Sequence, residues 1–176
     1  MSESNGINLK DFIRDIPDFP KEGILFRDIT PLLLSPDAMR ETVKLFAERF
    51  RGQDIDVIVA AEARGFIFAV PLALELNAGF VPIRKPGKLP FQTHSFNYEL
   101  EYGEDTLEMH IDGVTEGQNV LVLDDLLATG GTVSACCRLV ERCGATLVGS
   151  AFLIELLALN GREVVAPCDV FSLIQY

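Results

Sequence analysis

The sequence predicts an α/β protein built on a doubly wound, mainly parallel sheet flanked by helices. Five short apolar runs rich in β-branched residues carry that prediction: 56–61, 80–83, 119–123, 147–154 and 170–174. Strands buried on both faces read as continuous runs of this kind, whereas half-exposed strands alternate. Helical spacing fills the gaps after the first and third runs, which gives the strand, helix, strand order of a parallel sheet. One interruption, 97–112, alternates apolar and polar residues around Gly103, the pattern of a projecting antiparallel hairpin.

In chain order, the opening stretch 1–40 reads as an irregular lobe. Asn8 suits the cap of a short helix that runs through Ile13 and stops before Pro17, and Pro17, Pro20 and Gly23 keep the chain beyond it irregular. Ser35 before Pro36 is an N-cap with proline in the first turn. Met39, Val43, Phe46, Ala47 and Phe50 then recur at helical spacing until Gly52. A second helix fits 65–76, with Pro71 expected to kink it and Asn77 suited to a left-handed stop. A third fits 132–142 and is ended by Gly144. No repeat, linker or low-complexity tract divides the 176 residues, so they are read as one domain.

The chain carries 15 Lys and Arg against 26 Asp and Glu, a formal charge of −11 at pH 7. Nucleic acid requires a broad basic face, and this balance opposes one. Any anionic ligand must therefore meet cations that are concentrated locally. At 48% hydrophobic with a mean hydropathy of +0.24, most of the chain is too apolar to be disordered. No apolar stretch reaches the roughly 18 residues of a membrane span. The longest, 147–159, is cut by Glu155, so a soluble, untargeted, cytoplasmic protein without membrane contact is expected. Cys136, Cys137 and Cys143 share one predicted helix while Cys168 stands apart, a spacing that suits neither zinc nor a disulfide framework. His94 and His110 are the two histidines, too few for a histidine-based metal centre.

The strongest chemical signal is 120–132. A predicted strand ends there in Asp124 and Asp125, followed by the Gly-rich turn Ala128-Thr129-Gly130-Gly131-Thr132 and a helix start. Ligands of open α/β sheets collect at the carboxyl ends of strands. The turn suits a phosphate dianion, because glycines permit close approach, helix N–H groups point outward and the threonines add hydroxyls. Asp124 and Asp125 are acceptors suited to a pair of sugar hydroxyls or to a hydrated magnesium ion. The turn lacks the Lys-Ser/Thr ending of a P-loop, and GxGxxG is absent. An ordinary acidic turn explains the glycines but not the ordered combination. After the 56–61 strand, Glu62-Ala63-Arg64-Gly65 opens a helix and forms a second strand-end anion site. Alternatively, Arg64 caps its own helix or pairs with Glu62. Arg84, Lys85 and Lys88 place three cations within five residues, a cluster that focuses a polyanion or else a solvated basic turn.

At 120–132 the sequence resembles the sugar-diphosphate motif of the type I phosphoribosyltransferases. These enzymes move a 5-phosphoribosyl group from its 1-diphosphate to a nitrogenous base and release pyrophosphate with magnesium as cofactor. Segments 17–29, 62–66, 84–90 and 98–103, together with the ending 171–176, are similar to the members of that family that act on adenine. The resemblance implies adenine and 5-phosphoribosyl 1-diphosphate as substrates, AMP and pyrophosphate as products, a purine-salvage role and a homodimer. It implies Mg2+ with no direct protein ligand assigned. Residues 1–34 would be a small N-terminal hood that binds the base, and 86–104 a flexible catalytic loop that closes on the substrates.

Residue by residue, the resemblance gives Ala128, Thr129, Gly130, Gly131 and Thr132 to the 5-phosphate and Asp124 and Asp125 to the ribose. Pyrophosphate falls to Arg64, Arg84, Lys85, Lys88 and Tyr102, with a non-proline cis peptide expected in the Arg64 loop. Adenine falls to Leu25 and Arg27 through their backbones and to Phe26 and Leu126 on the two ring faces. Glu101 is the implied acid/base, facing N7 or N9 of the purine. Ala69 and Val70 stand where relatives often carry glycine, and 91–96, with His94, matches no family pattern. A related enzyme for xanthine, hypoxanthine or orotate is one rival reading. A non-catalytic DNA-binding regulator is another, opposed by the charge and by the lack of a DNA-binding segment.

Overall fold

The computed structural model describes residues 7–100 and 103–176. They divide into two compact units, one up to Leu45 and one from Phe46 to Tyr176.

In the first unit, a single 3-10 turn, Leu9–Phe12, is capped where the sequence predicts it, with Asn8 Oδ1 accepting the Lys10 N–H at 3.3 Å. The next stretch is more regular than expected. Strands β1 (Arg14–Pro17) and β2 (Leu25–Asp28) pair antiparallel with Ile16 opposite Phe26. Their connection is pinned by the Gly23 N–H to Asp18 Oδ1 at 2.8 Å and the Phe19 N–H to the Ile24 carbonyl at 3.2 Å. Asp28 then accepts from both the N–H (2.9 Å) and the hydroxyl (2.5 Å) of Thr30, which starts the short helix α1 (Thr30–Leu34). Helix α2 (Pro36–Phe50) comes next with the predicted bounds, its last five residues counted with the second unit, and Ser35 Oγ accepts the Ala38 N–H at 3.2 Å.

In the second unit, all five apolar runs form strands: β3 (Val57–Ala61), β4 (Gly79–Ile83), β7 (Asn119–Leu127), β8 (Thr146–Glu155) and β9 (Val170–Gln175). Between β4 and β7 come β5 (Thr93–Leu100) and β6 (Gly103–His110), which pair antiparallel as the predicted hairpin. The five-stranded sheet has the order β4-β3-β7-β8-β9, parallel throughout. Helix α3 (Gly65–Leu76) connects β3 to β4, while α4 (Gly131–Arg142) connects β7 to β8. The first connection steps one way along the sheet and the second steps the other, so right-handed crossovers put α3 and α4 on opposite faces. Helix α5 (Gly161–Val165) joins β8 to β9. Helix α3 is assigned as one continuous helix through Pro71 and ends at Asn77, whose φ of 55° is the predicted left-handed stop.

The core of this unit interleaves sheet and helix residues, among them Val59, Val122, Phe152, Val133, Leu139 and Ile83. Each such side chain contributes about 1.5 to 3 kcal/mol when fully buried. The half of the hairpin nearest the sheet is anchored: Leu107 and Met109 are buried, Arg142 of α4 lies over the Phe96 ring at 4.7 Å, and its Nη1 donates to the Ser95 carbonyl at 3.1 Å. Pairing begins at Thr93 opposite His110, earlier than the alternation alone suggests.

Candidate active site

The strand order reverses between β3 and β7, and their carboxyl ends bound the crevice where ligands of such sheets bind. Strand β7 does not stop at its acids, as the sequence suggests, but runs on to Leu127. Its pairing with β3 ends at Leu123, while β8 accompanies it to Leu127. Asp124 and Asp125 therefore sit on a strand edge that faces the crevice, where the β3 partner is gone.

Opposite them, Gly65 begins α3 in a space that admits no side chain. A Cβ there would lie 2.9 Å from Asp124 Oδ1, 3.0 Å from the Leu123 carbonyl and 3.2 Å from Ala60 Cβ. This close approach carries Arg64 across the crevice, where its Nη2 lies 2.9 Å from Asp125 Oδ2. Arg64 thus joins the acids of the other strand. Burial, and then the charge of Asp125, push the Asp124 carboxyl well above its ordinary range. Burial also raises Asp125, with Arg64 opposing the shift. The Asp125 N–H donates to Asp124 Oδ1 at 2.9 Å. Two desolvated carboxylates beside one arginine are poised to gain from hydroxyl donors or a cation.

Asp124, Leu126, Ala128, Thr129, Gly130, Gly131, Thr132 and Val133 line one pocket of about 90 Å³. All five residues assigned to the phosphate share it. Gly130, at φ 87°, is the N-cap of α4, and no side chain caps the helix. The first-turn N–H groups of a helix have no intrahelical acceptors, so this end offers donors and positive dipole to an anion.

The peptide between Glu62 and Ala63 is cis, as the resemblance implies for this loop. Glu62, which the sequence offers as a partner for Arg64, organises the cationic cluster. Its Oε2 takes Arg84 Nε at 2.9 Å and Nη2 at 2.8 Å, while its Oε1 takes the Lys85 N–H at 2.8 Å. Burial pushes the Glu62 carboxyl up, but these bonds and the charges of Arg84 and Lys88 outweigh it and hold the group below its usual range. Lys85 Nζ pairs with Asp105, which also accepts the Tyr98 hydroxyl at 3.2 Å. The Arg84 N–H and carbonyl bond the Glu108 backbone of β6 at 2.9 and 2.7 Å. Of the three predicted cations, Arg84 and Lys85 are thus held by acids, and Lys88 adds charge near Glu62.

In the first unit, Leu25 is exposed at 45%, Phe26 meets Phe19 edge to face with ring centroids 5.1 Å apart, and Arg27 pairs with Asp15. Glu101 and Tyr102 lie outside the described residues. His94 is exposed on β5, and His110 Nε2 accepts the Phe91 N–H at 3.4 Å. Two further features escaped sequence reading: Gly161, which packs on the 128–132 turn, and the Glu155–Arg162 pair behind it. A carboxylate inside an apolar run, as at Glu155, was the available signal, since such a group is rarely buried without a partner.

An α/β sheet with an uncapped helix start, paired acids and an arginine at its switch point defines a class of anion-accepting crevice, and comparison with known proteins narrows it. Residues 31–174 match the phosphoribosyl transferase domain model. The chain is 61% identical over 170 residues to an adenine phosphoribosyltransferase of Rhodopirellula baltica, covering 97% of this chain and 82% of that one. The crystal structure of adenine phosphoribosyltransferase from Thermoanaerobacter pseudethanolicus is 52% identical, with a TM-score of 0.93 over 96% of this chain and 98% of that one. The Saccharomyces cerevisiae enzyme, complexed with an imino-altritol bisphosphate and adenine, is 41% identical, with a TM-score of 0.88 over 93% and 95% of the two chains. The chain belongs to the phosphoribosyltransferase family, in its adenine phosphoribosyltransferase branch.

Proposed function

We propose that this chain transfers the 5-phosphoribosyl group of 5-phosphoribosyl 1-diphosphate to adenine, giving AMP and pyrophosphate in purine salvage. One observation carries the reading: the arginine loop after β3, the paired acids of β7 and the uncapped start of α4 converge on one crevice. A phosphate at the 128–132 pocket, ribose hydroxyls on Asp124 and Asp125, and a diphosphate toward Arg64 match the order of groups along that substrate.

Departure of the diphosphate leaves positive charge on ribose C1 and the ring oxygen. Catalysis then consists of holding the ribose rigidly and neutralising the leaving group, the role assigned to Arg64, Arg84, Lys85 and Lys88. Adenine attacks from the opposite face with inversion. Leu25, Phe26, Arg27 and Leu126 are assigned to the base, Tyr102 to the diphosphate and Glu101 to the proton at N7 or N9. Closure of 86–104 would keep water from the activated sugar.

Among the described residues no group of three or more His, Cys, Asp or Glu is placed to hold a metal. Magnesium often takes one or two carboxylates, water and substrate oxygens, and the two buried carboxylates Asp124 and Asp125 fit that role. When bound, the ion spreads the charge of the departing diphosphate. A homodimer belongs to the same reading. Ile67, Val70 and Leu74 form an exposed apolar stripe at helical spacing along α3, which a second copy would cover. A cytoplasmic location accords with four free cysteines, and no described helix is long and apolar enough to cross a membrane.

The test is to incubate the protein with magnesium, 5-phosphoribosyl 1-diphosphate and adenine and to quantify both products. AMP and pyrophosphate in equal amounts support transfer; pyrophosphate with ribose 5-phosphate and no AMP would mean hydrolysis instead.

A further inference from the structure

Glu155, the last residue of β8, is 2% exposed and fully engaged. Arg162 of α5 meets it with two parallel bonds, Nε to Oε1 at 2.5 Å and Nη2 to Oε2 at 2.7 Å. From β9, the Ser172 hydroxyl (2.5 Å) and the Gln175 amide (3.1 Å) donate to Oε2. Arg162 Nη1 also reaches the Val170 carbonyl at 2.9 Å. The pair closes the base of an excursion that passes through the 3-10 turn Leu157–Leu159 and reverses at Asn160, whose φ is 52°. Just after Glu155, the Leu156 N–H bonds the Leu127 carbonyl at 2.9 Å, so the excursion leaves β8 tied to the end of β7.

Gly161, next to Arg162, touches the phosphate-binding loop without clearance. A Cβ at Gly161 would fall 2.3 Å from the Ala128 carbonyl oxygen and 2.9 Å from Leu127 Cδ1. Reciprocally, a Cβ at Gly130 would fall 2.6 Å from the Gly161 carbonyl. Two backbones in such contact leave neither room to shift toward the other. Glu155 is buried while the Arg162 side chain is 44% exposed, and such an ion pair is weak evidence for stability, but a bidentate arginine fork fixes geometry that apolar packing leaves looser.

We infer that the Glu155–Arg162 pair is a positioning device for the phosphate loop, holding Gly161 against Ala128 and Gly130 and thereby setting the pocket that receives the 5-phosphate. This rests on reading 128–132 as the phosphate-binding loop. Arg162 and Glu155 act through Gly161 and are positioning residues. A purely architectural pair would set melting temperature and leave the two substrates equally affected; a positioning pair acts selectively on the substrate that carries the phosphate.

The experiment compares full-length Arg162→Met, Arg162→Lys and Gly161→Ala with the parent, varying the sugar diphosphate and adenine separately. Melting temperature and calorimetric binding of ribose 5-phosphate are measured alongside. The KM for the sugar diphosphate is expected to rise roughly tenfold in Arg162→Met and Gly161→Ala and less in Arg162→Lys, which keeps the charge but loses the fork. Adenine KM and kcat are expected to stay within about twofold, and ribose 5-phosphate affinity to change in step with the sugar diphosphate. A lowered melting temperature with unchanged sugar-diphosphate KM and unchanged ribose 5-phosphate affinity would overturn the inference, as would an equal rise in both KM values. Should Arg162→Met fail to fold, Arg162→Lys tests the fork and Gly161→Ala, which leaves the ion pair in place, tests the contact. If the parent makes no AMP, the functional reading fails, and the ribose 5-phosphate titrations still decide on the positioning role.

Discussion

Arg64 Nη2 and Asp125 Oδ2 lie 2.9 Å apart across the crevice between β3 and β7, so the anion loop of one strand and the acids of the other form one electrostatic unit. Under the proposed function, a diphosphate at Arg64 and a ribose at Asp125 would meet groups already coupled to each other.

Removing Arg64 should affect both halves of the substrate. Arg64→Gln leaves Asp125, whose side chain is 7% exposed, beside Asp124 without its counter-charge, and takes away a charge-assisted fork for the diphosphate. The expected result is a loss of kcat/KM for the sugar diphosphate of about a hundredfold, with Arg64→Lys intermediate. Steady-state kinetics of the two variants check it. Unchanged kcat/KM in both would detach Arg64 from the diphosphate.

Asp124 should trade stability for function. Its folded carboxyl is raised, mainly by burial and then by Asp125, so the folded protein holds that proton more tightly than the unfolded chain. The group therefore costs stability once pH exceeds its unfolded value, and the cost grows until pH passes the raised folded value. Asp124→Asn removes this cost, and the ligand-free melting temperature at pH 7 should be at or above that of the parent. Turnover should fall roughly ten- to a hundredfold, the effect of weakening charge-assisted bonds worth about 1.5 to 3 kcal/mol. Calorimetry and kinetics on one preparation test both halves, and a destabilised but fully active variant would contradict both.

Glu155 has the opposite sign. The Arg162 bonds lead the effects that hold its carboxyl at about 2, against an ordinary 4.5, with burial opposing and Ser172 and Gln175 assisting. Its stabilisation is present above the ordinary value and is lost as pH falls from about 4.5 toward 2, a shift equivalent to about 3 kcal/mol. Urea denaturation between pH 5 and 2 should show a steeper loss of stability in the parent than in Glu155→Gln. Parallel curves would show that the carboxylate does not carry this linkage.

The sheet was legible because its strands are buried on both faces, and burial writes itself as unbroken apolar runs. The starts and stops at Ser35, Pro36 and Asn77 were legible for an equally local reason, the cap chemistry of single residues. The β1–β2 hairpin and α1 were not, since strands of four residues between prolines and glycines carry too little periodicity to register. Residues 128–132, one contiguous motif in the sequence, do line one pocket together. The Arg64–Asp125, Glu62–Arg84 and Glu155–Arg162 pairs join segments brought together only by folding, and a single sequence does not state which charge meets which.

Glu101, assigned as the acid/base, should be required for the chemical step. Glu101→Gln is expected to lower kcat about a hundredfold or more and to flatten one limb of the pH–rate profile, while the adenine KM and the melting temperature hold. Measurement across pH 5 to 9, with chemistry shown to limit the parent rate, separates this from an outward-facing hairpin residue, which would leave both kcat and the profile intact.

The most direct test of phosphoribosyl transfer to adenine is a competition. The full-length protein is given magnesium, 5-phosphoribosyl 1-diphosphate and an equimolar mixture of adenine, hypoxanthine, guanine, xanthine and orotate, and the nucleotides formed are identified by mass. AMP should dominate the products, accumulating with pyrophosphate, and should form roughly ten- to a hundredfold more slowly in Asp124→Asn and Arg64→Gln at equal concentrations of folded protein. Preferential formation of IMP, GMP, XMP or orotidylate would contradict the adenine assignment, and no nucleotide at all would contradict the transferase.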